Sequence, residues 1–185
     1  MKKYISITAL AVFGMASSQV IIGDETGTAA DKTSVLLDFA EGENKGIILP
    51  YVRTLPTGAG LAEGTILLDA VDATKAKVKY YRGNNDWFDL SSNNEADISN
   101  AMTSQPSTAE TTTKGAIIGS NTSSADGVLI LESTDKAMVL PQVEDVDDII
   151  KPAPGMMVYV TGTTANPNKR LAVFNGGGWT FWKPQ

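Results

Sequence analysis

The chain has 185 residues, contains neither His nor Cys, and carries a formal net charge of −6 at pH 7. The missing residue types exclude Ser-His-Asp and Cys-His nucleophiles, zinc sites built on His or Cys, and disulfides. The acidic balance supplies no basic patch for phosphate contacts, so we expect no nucleic-acid partner. We therefore predict that the protein is not an enzyme, and we assign no catalytic residue, cofactor or metal.

Residues 1–18 have the composition of a secretory signal peptide. A positive start at Met1-Lys2-Lys3 is followed by an apolar run and then by Ala16-Ser17-Ser18, which places the cleavage site near Ser18/Gln19. The apolar run is too short to cross a bilayer, and no later segment is long and apolar enough to do so. We expect a secreted or cell-surface protein that does not span the membrane.

Most of the remaining sequence consists of two copies of one pattern, at residues 19–91 and 116–182. The shared landmarks are Leu49-Pro50 with Leu140-Pro141, Gly64 with Gly155, and Trp87 with Trp179. Such a repeat indicates a duplicated structural unit. Each copy is so short that a core of its own is marginal, and we therefore expect the copies to pack on each other or on partner chains.

Both copies have the pattern of β structure. Short runs of Val, Ile, Leu and Tyr are separated by Gly, Asn, Asp and Pro, and no long window has a helical period. We predict an all-β protein with two duplicated antiparallel lobes of meander or sandwich type. Turn residues predict hairpins at Glu41–Asn44, Ser133–Lys136, 161–168 and Asn175–Gly178.

Two of the predicted strands are apolar on both faces. Ile47–Leu49 and Val128–Leu131 do not alternate with polar residues, which is typical of strands covered by a second layer or by a second subunit. The residues alone leave both explanations open. Residues 19–24 likewise fit either an internal strand or a free strand that completes the sheet of a neighbour, and their equivalent in the second copy favours the internal strand.

Residues 92–115, between the copies, are rich in Ser, Thr, Asn and Ala and are predicted to be a linker, with one or two helical turns within 95–102. Residues 183–185 form a tail after the second copy. A further short helix is predicted at 144–150, with Val146 and Ile149 facing inward.

The second copy contains four short motifs: Ser133-Thr134-x-Lys136, Val139-Leu140-Pro141, Pro152-Ala153-Pro154-Gly155-Met156-Met157-Val158-Tyr159 and Phe174-Asn175-Gly176-x-x-Trp179. With these motifs it resembles a module common in exported proteins of Bacteroidota, similar to the shaft or head modules of trimeric surface fibres and phage tail fibres. The resemblance covers 116–182 and, more loosely, 33–90. It implies a trimer or filament built from this chain or from homologous subunits. Where the family pattern has Pro-Arg this chain has Pro141-Gln142, so no role of that Arg carries over.

Carboxylates and aromatic residues are the remaining candidates for a site. The acidic group at 144–148 lacks the pattern of a calcium loop, and we interpret it as a solvated helix start. Asp86 and Asp89 fall on opposite faces of a strand, which argues against a glycosidase pair. Asn84, Asn85, Asp86 and the predicted exposed aromatic Trp182 could contact a glycan, whereas the equivalent residues Trp87 and Trp179 are interpreted as core.

These observations predict a secreted structural or adhesive module of a bacterial surface fibre, appendage or secreted complex, which acts by assembly and surface contact. The alternative is a secreted monomeric carbohydrate-binding protein, in which surface glycans would be the partners. The two hypotheses differ in oligomeric state.

Overall fold

The structure is a computed structural model that describes residues 19–104 and 115–182. The predicted signal peptide and tail, and residues 105–114 of the predicted linker, lie outside the described residues. The strands of the first copy are β1 (Val20–Ile22), β2 (Val35–Phe39), β3 (Ile47–Ile48), β4 (Tyr51–Val52), β5 (Ile66–Asp69), β6 (Lys77–Tyr81) and β7 (Trp87–Asp89). Those of the second copy are β8 (Ala116–Ile118), β9 (Leu129–Leu131), β10 (Ala137–Met138), β11 (Gln142–Val143), β12 (Met156–Val160), β13 (Arg170–Phe174) and β14 (Trp179–Trp182).

The prediction of an all-β protein is confirmed. The described helical residues are the single turn α1 (Ser99–Met102) and a 3₁₀ turn at Val146–Asp148. Val146 and Ile149 are both buried, as predicted for this segment, although it forms a 3₁₀ turn instead of an α-helix. In the part of the chain that the structure covers, no helix is long and apolar enough to cross a membrane.

The repeat is visible in the strand order. β4-β5-β6-β7 and β11-β12-β13-β14 have the same order, with one parallel pair followed by two antiparallel pairs. β1 and β2 form a parallel pair, and so do β8 and β9. The prediction of antiparallel lobes is therefore wrong in part, because each copy mixes parallel and antiparallel pairs.

Two strand pairs connect the copies. β10 of the second copy pairs in parallel with β2 of the first, and β3 of the first copy pairs antiparallel with β12 of the second. For this reason the turns at Glu41–Asn44 and Ser133–Lys136 do not form hairpins, since the strands that follow them pair with the other copy. Hairpins do form at the other two predicted turns, between β12 and β13 and between β13 and β14.

A hydrophobic core is shared by both copies. Its fully buried members come from the first copy, from the segment that follows it and from the second copy: Leu68, Ala70, Ala76, Val78, Leu90, Ala96, Ile98, Met102, Met157 and Val173. The expectation that the copies pack on each other is confirmed by this cluster. The start of the predicted linker belongs to it, because Ala96 bridges to Ala76 and α1 buries Met102.

The outer faces of the β4–β7 sheet and of the β11–β14 sheet differ. In the first copy this face carries ion pairs, among them Lys79 with Asp69 at 2.7 Å. In the second copy it is apolar and is covered by the segment that contains Val146 and Ile149. Leu67 and Tyr81 of the first sheet are also buried on this face, so the difference lies in the ion pairs of the first sheet and the covering segment of the second.

The first described strand pairs within its own chain. β1 pairs along its whole length with β2, from Val20 opposite Leu37 to Ile22 opposite Phe39. The interpretation of residues 19–24 as an internal strand is therefore confirmed. β2 lies between β1 and β10, and its residues Val35, Leu36, Leu37 and Asp38 are all buried.

Candidate functional site

The predicted glycan residues Asn84, Asn85 and Asp86 form the exposed turn between β6 and β7. Asn84 and Asn85 adopt the left-handed conformation, with φ of 51° and 59°, which Asn tolerates better than most residues. Asp86 closes the turn, since its carboxylate lies 2.6 Å from Arg82 and its carbonyl accepts the Arg82 N–H. Each of the three residues thus has a role in the turn itself.

Trp182 is not the exposed aromatic that the sequence predicted. Its ring is partly buried against the shared core, with an edge contact to Phe88 at 5.6 Å, and its indole N–H donates to the carbonyl of Leu90 at 2.8 Å. Trp87 follows the predicted turn and lies on the other face of its strand from Phe88. The structure therefore places Trp182 on the inner face of the sheets, away from the face on which Trp87 lies.

The equivalent tryptophans Trp87 and Trp179 make the same contact in both copies. Trp87 packs against Tyr81 at 5.2 Å between ring centroids, and Trp179 packs against Phe174 at the same distance and a similar tilt. Both are cross-strand neighbours at the end of a hairpin, where aromatic pairs stabilise a sheet. This repeated contact supports their interpretation as structural residues.

The Asn of the Asn-Gly motif in the second copy, Asn175, has a structural role. This residue is only 2% exposed. Its side-chain oxygen accepts the N–H groups of Gly177 and Gly178, and its Nδ2 donates to the carbonyl of Asn94 at 2.8 Å. One buried amide therefore closes the hairpin and attaches it to the segment after the first copy. Arg82 occupies the equivalent position in the first copy, where the exposed ion pair to Asp86 replaces this arrangement.

We expect Asn175→Ala to lower the free energy of unfolding by about 1–3 kcal/mol, because the carbonyl of Asn94 and the N–H groups of Gly177 and Gly178 lose their partner. Urea unfolding followed by circular dichroism measures this change. Asn84→Gly is the control: it removes an exposed side chain from the equivalent hairpin and keeps the left-handed backbone accessible, so a change of less than about 0.5 kcal/mol is expected. Equal effects of the two substitutions would contradict the role assigned to Asn175.

The acidic residues have local structural partners. Asp145 caps the 3₁₀ turn by accepting the N–H of Asp147. Asp89 accepts the N–H groups of Ser91 and Asn93 and lies 3.6 Å from the Lys77 ammonium. Among residues 19–104 and 115–182, no group of three or more acidic side chains is placed to hold a metal ion.

A group of exposed apolar side chains lies on β3 and on or beside β9, two strands that have a partner on only one side in the part of the chain that the structure describes. Ile48 is 54% exposed, Val128 55% and Leu129 49%. The sequence identified both segments as apolar on two faces and left open whether a second layer or a second subunit covers them. Because these side chains are exposed in the isolated chain, a covering layer from the described residues of the same chain is excluded. We refer to Ile48, Val128 and Leu129 as the apolar edge residues.

Comparison with known proteins gives one match. The family model described as "Phage tail like trimerisation region" matches residues 117–184. No curated protein and no solved structure matches the chain significantly. The matched segment contains β9 to β14 and the motifs of the second copy, so the second copy of this chain is similar to a phage tail-like trimerisation region.

Proposed function

We propose that this protein is an exported structural subunit of a bacterial surface fibre or phage tail-like appendage, which works by assembling into trimers and contacting surfaces. The match of residues 117–184 to a phage tail-like trimerisation region carries this proposal. Self-association is the role that this match supports. The resemblance to exported modules of Bacteroidota and the signal-like composition of residues 1–18 support a place at the cell surface or outside the cell.

The apolar edge residues support assembly on physical grounds. Strand edges with exposed apolar side chains pair readily with other chains, and soluble monomers normally protect such edges with charge, Pro or a covering loop. Here Ile48 and Leu129 are about half exposed, on strands that have a partner on only one side among the described residues. Burial in an oligomer removes this apolar surface from water.

Three side chains considered as site candidates are engaged in holding the fold. The carboxylates of Asp86 and Asp89 bind Arg82 and backbone N–H groups, and the indole N–H of Trp182 is bonded to Leu90. The proposed mechanism is therefore contact between subunits without bond-making chemistry. Carbohydrate binding by a monomer has less support, because Trp182 is not available as an exposed stacking platform.

The proposal is tested on protein recovered from the medium of an expressing bacterium. Intact mass should correspond to a chain that begins near Gln19, and mass photometry at micromolar to nanomolar concentration should show a trimer. A monomer across this range that binds glycans on an array would contradict the proposal and support the carbohydrate-binding alternative.

A further inference from the structure

We propose that neighbouring chains associate by repeating the contact that joins the two copies within one chain: β3 of the next chain pairs with β9, and β10 pairs with β5 of the next chain. This inference rests on the proposed self-association and specifies the surfaces and the register. The occupant of each unpaired edge is a second copy of this chain.

The first edge belongs to β9. β2 and β9 are equivalent, because each pairs in parallel with a strand, β1 or β8, that is followed by a glycine with positive φ, Gly23 or Gly119. By this alignment Leu129 corresponds to Leu37. β10 covers β2, and Leu37 is 0% exposed, whereas Leu129 on the uncovered β9 is 49% exposed. The second copy therefore lacks, within the described part of the chain, the strand that protects the first.

The strand equivalent to β10 is β3, whose outer edge has no partner strand among residues 19–104 and 115–182. The N–H of Leu49 donates to the carbonyl of Gly155, so the backbone of residues 47 and 49 faces β12 and that of residue 48 faces away. In β10 the edge that pairs with β2 is the one equivalent to the outer edge of β3, since the N–H of Val139 donates to the carbonyl of Leu37 at 2.9 Å. Val139 corresponds to Ile48, whose side chain is 54% exposed. β3 can thus keep its pairing with β12 while its other edge pairs with β9 of a neighbour.

The register follows from the contact within the chain. Met138 lies opposite Leu37, which places Leu129 of one chain opposite Ile47 of the next in a parallel pair. The N–H of Ile48 then donates to the carbonyl of Leu129, as the N–H of Val139 does to Leu37. The apolar edge residues meet in this arrangement.

The same association between chains pairs a second strand edge. β3 pairs with the N-terminal half of β12, with Ile47 opposite Met157. In the first copy the pairing of β4 with β5 begins only at Leu68, so Ile66 has no partner strand on that side among the described residues. β10 has its free edge at Met138 and Leu140. The repeat therefore places Met138 of one chain opposite Ile66 of the other.

The resulting contact is head-to-tail, since strands of the second copy of one chain pair with strands of the first copy of the next. Heterologous contacts of this kind form a closed ring or an open filament. The match of the second copy to a trimerisation region selects a ring of three chains. In that ring the same rotation relates each copy of the repeat to the next, whether the two copies belong to one chain or to neighbouring chains.

Cysteine cross-linking tests the register, and the chain has no Cys of its own to interfere. In the double variant Ile47→Cys/Leu129→Cys, mild oxidation should give covalent dimers and trimers on a non-reducing gel, because directly opposed residues in a sheet bring their Cβ atoms close. Leu37→Cys/Met138→Cys should link within one chain. The off-register pair Ile47→Cys/Ile130→Cys should react far less, because Ile130 points to the other face.

Charge substitutions test the same contact without thiols. Ile48→Lys and Leu129→Lys should each raise the concentration needed for trimers at least tenfold, by order of magnitude, because an unpaired ammonium would be buried in the interface. Val71→Lys is the control, at a residue 59% exposed outside the proposed contact, and its trimer should persist. Circular dichroism identifies any variant that fails to fold.

Trimers that do not cross-link at Ile47 and Leu129 and that tolerate both lysines would overturn the proposed contact and leave the trimeric function intact. A cross-link closed within a monomer would overturn the contact as well. A protein that is monomeric at every concentration would overturn both the contact and the proposed function.

Discussion

Replacement of Leu68 by Ala should destabilise both copies together. Leu68 is 0% exposed and belongs to the core that also contains Met157 and Val173 of the second copy. Removing this buried side chain leaves a cavity, and the expected loss in the free energy of unfolding is about 2–5 kcal/mol. Since the cavity opens between the copies, amide protection should fall in both.

Hydrogen exchange followed by mass spectrometry measures this coupling. Peptides that contain β5 and β6 and peptides that contain β12 and β13 should lose protection by similar factors, because they unfold as one cooperative unit. The experiment is performed at one protein concentration, since association also changes the apparent stability. Loss of protection confined to the first copy would show that the copies unfold independently and would contradict the shared core.

Val71→Ala is the control for Leu68→Ala. Val71 follows β5 closely in sequence, and its side chain is 59% exposed. Truncation of an exposed side chain away from a structural feature changes stability by less than about 0.5 kcal/mol. A large loss of stability in Val71→Ala would show that the difference in side-chain exposure between Leu68 and Val71 does not account for the effect of Leu68→Ala.

Replacement of Asp38 by Asn should have the second large effect. Asp38 is a buried charged residue of β2 at 0% exposure. Its carboxylate lies 2.5 Å from the Lys32 ammonium and accepts the N–H groups of Ala29 and Phe39. The Asn side chain has no charge and leaves Lys32 partly buried without its partner, so we expect a loss of about 3–5 kcal/mol, by order of magnitude.

The effect of Asp38→Asn should depend on pH. Burial raises the pKa of Asp38, but the hydrogen bond from Lys32, the N–H groups of Ala29 and Phe39 and the charge of Lys32 together hold this pKa below the usual 3.8. Because the pKa is lower in the folded chain, the unfolded chain binds the proton first as the pH falls. The stabilisation is therefore complete well above pH 3.8 and is lost as the pH drops through the lowered pKa.

Urea unfolding of the parent chain and Asp38→Asn at pH 7 and at acid pH measures this dependence. The difference in free energy between the two proteins should be largest at pH 7 and should shrink as the pH falls below about 4. Asp148→Asn, at an exposed residue, is the control and should change stability little at either pH. A difference that stays constant with pH would contradict the charged contact of Asp38 with Lys32.

Local features of the fold could be predicted from the sequence. The hairpin at Asn175–Gly178 and the inward positions of Val146 and Ile149 depend on residues close together in the chain, and each was correctly predicted. Turn chemistry and apolar spacing act over a few residues, so a single sequence contains them.

Features that depend on distant partners were predicted poorly. The turn at Ser133–Lys136 reverses the chain, but its residues cannot show that β10 pairs with β2 instead of β9. Trp182 is predicted to be exposed because, unlike Trp87 and Trp179, it is not readily assigned to the core, whereas its partner Leu90 lies 92 positions away in the chain. Parallel pairs join strands that are far apart in sequence, and neither turn type nor local alternation specifies them.

The sequence by itself determined the all-β class, the duplication and the absence of His and Cys chemistry, because composition and spacing are properties of the chain alone. The tertiary structure alone decided which strands are covered. Val35 to Leu37 and Val128 to Leu131 are equally apolar, yet the first run is buried and Val128 and Leu129 are exposed, since β10 pairs with only one of them. Burial depends on the partner strand, and that partner is chosen by long-range pairing within the chain or, as we propose, between chains.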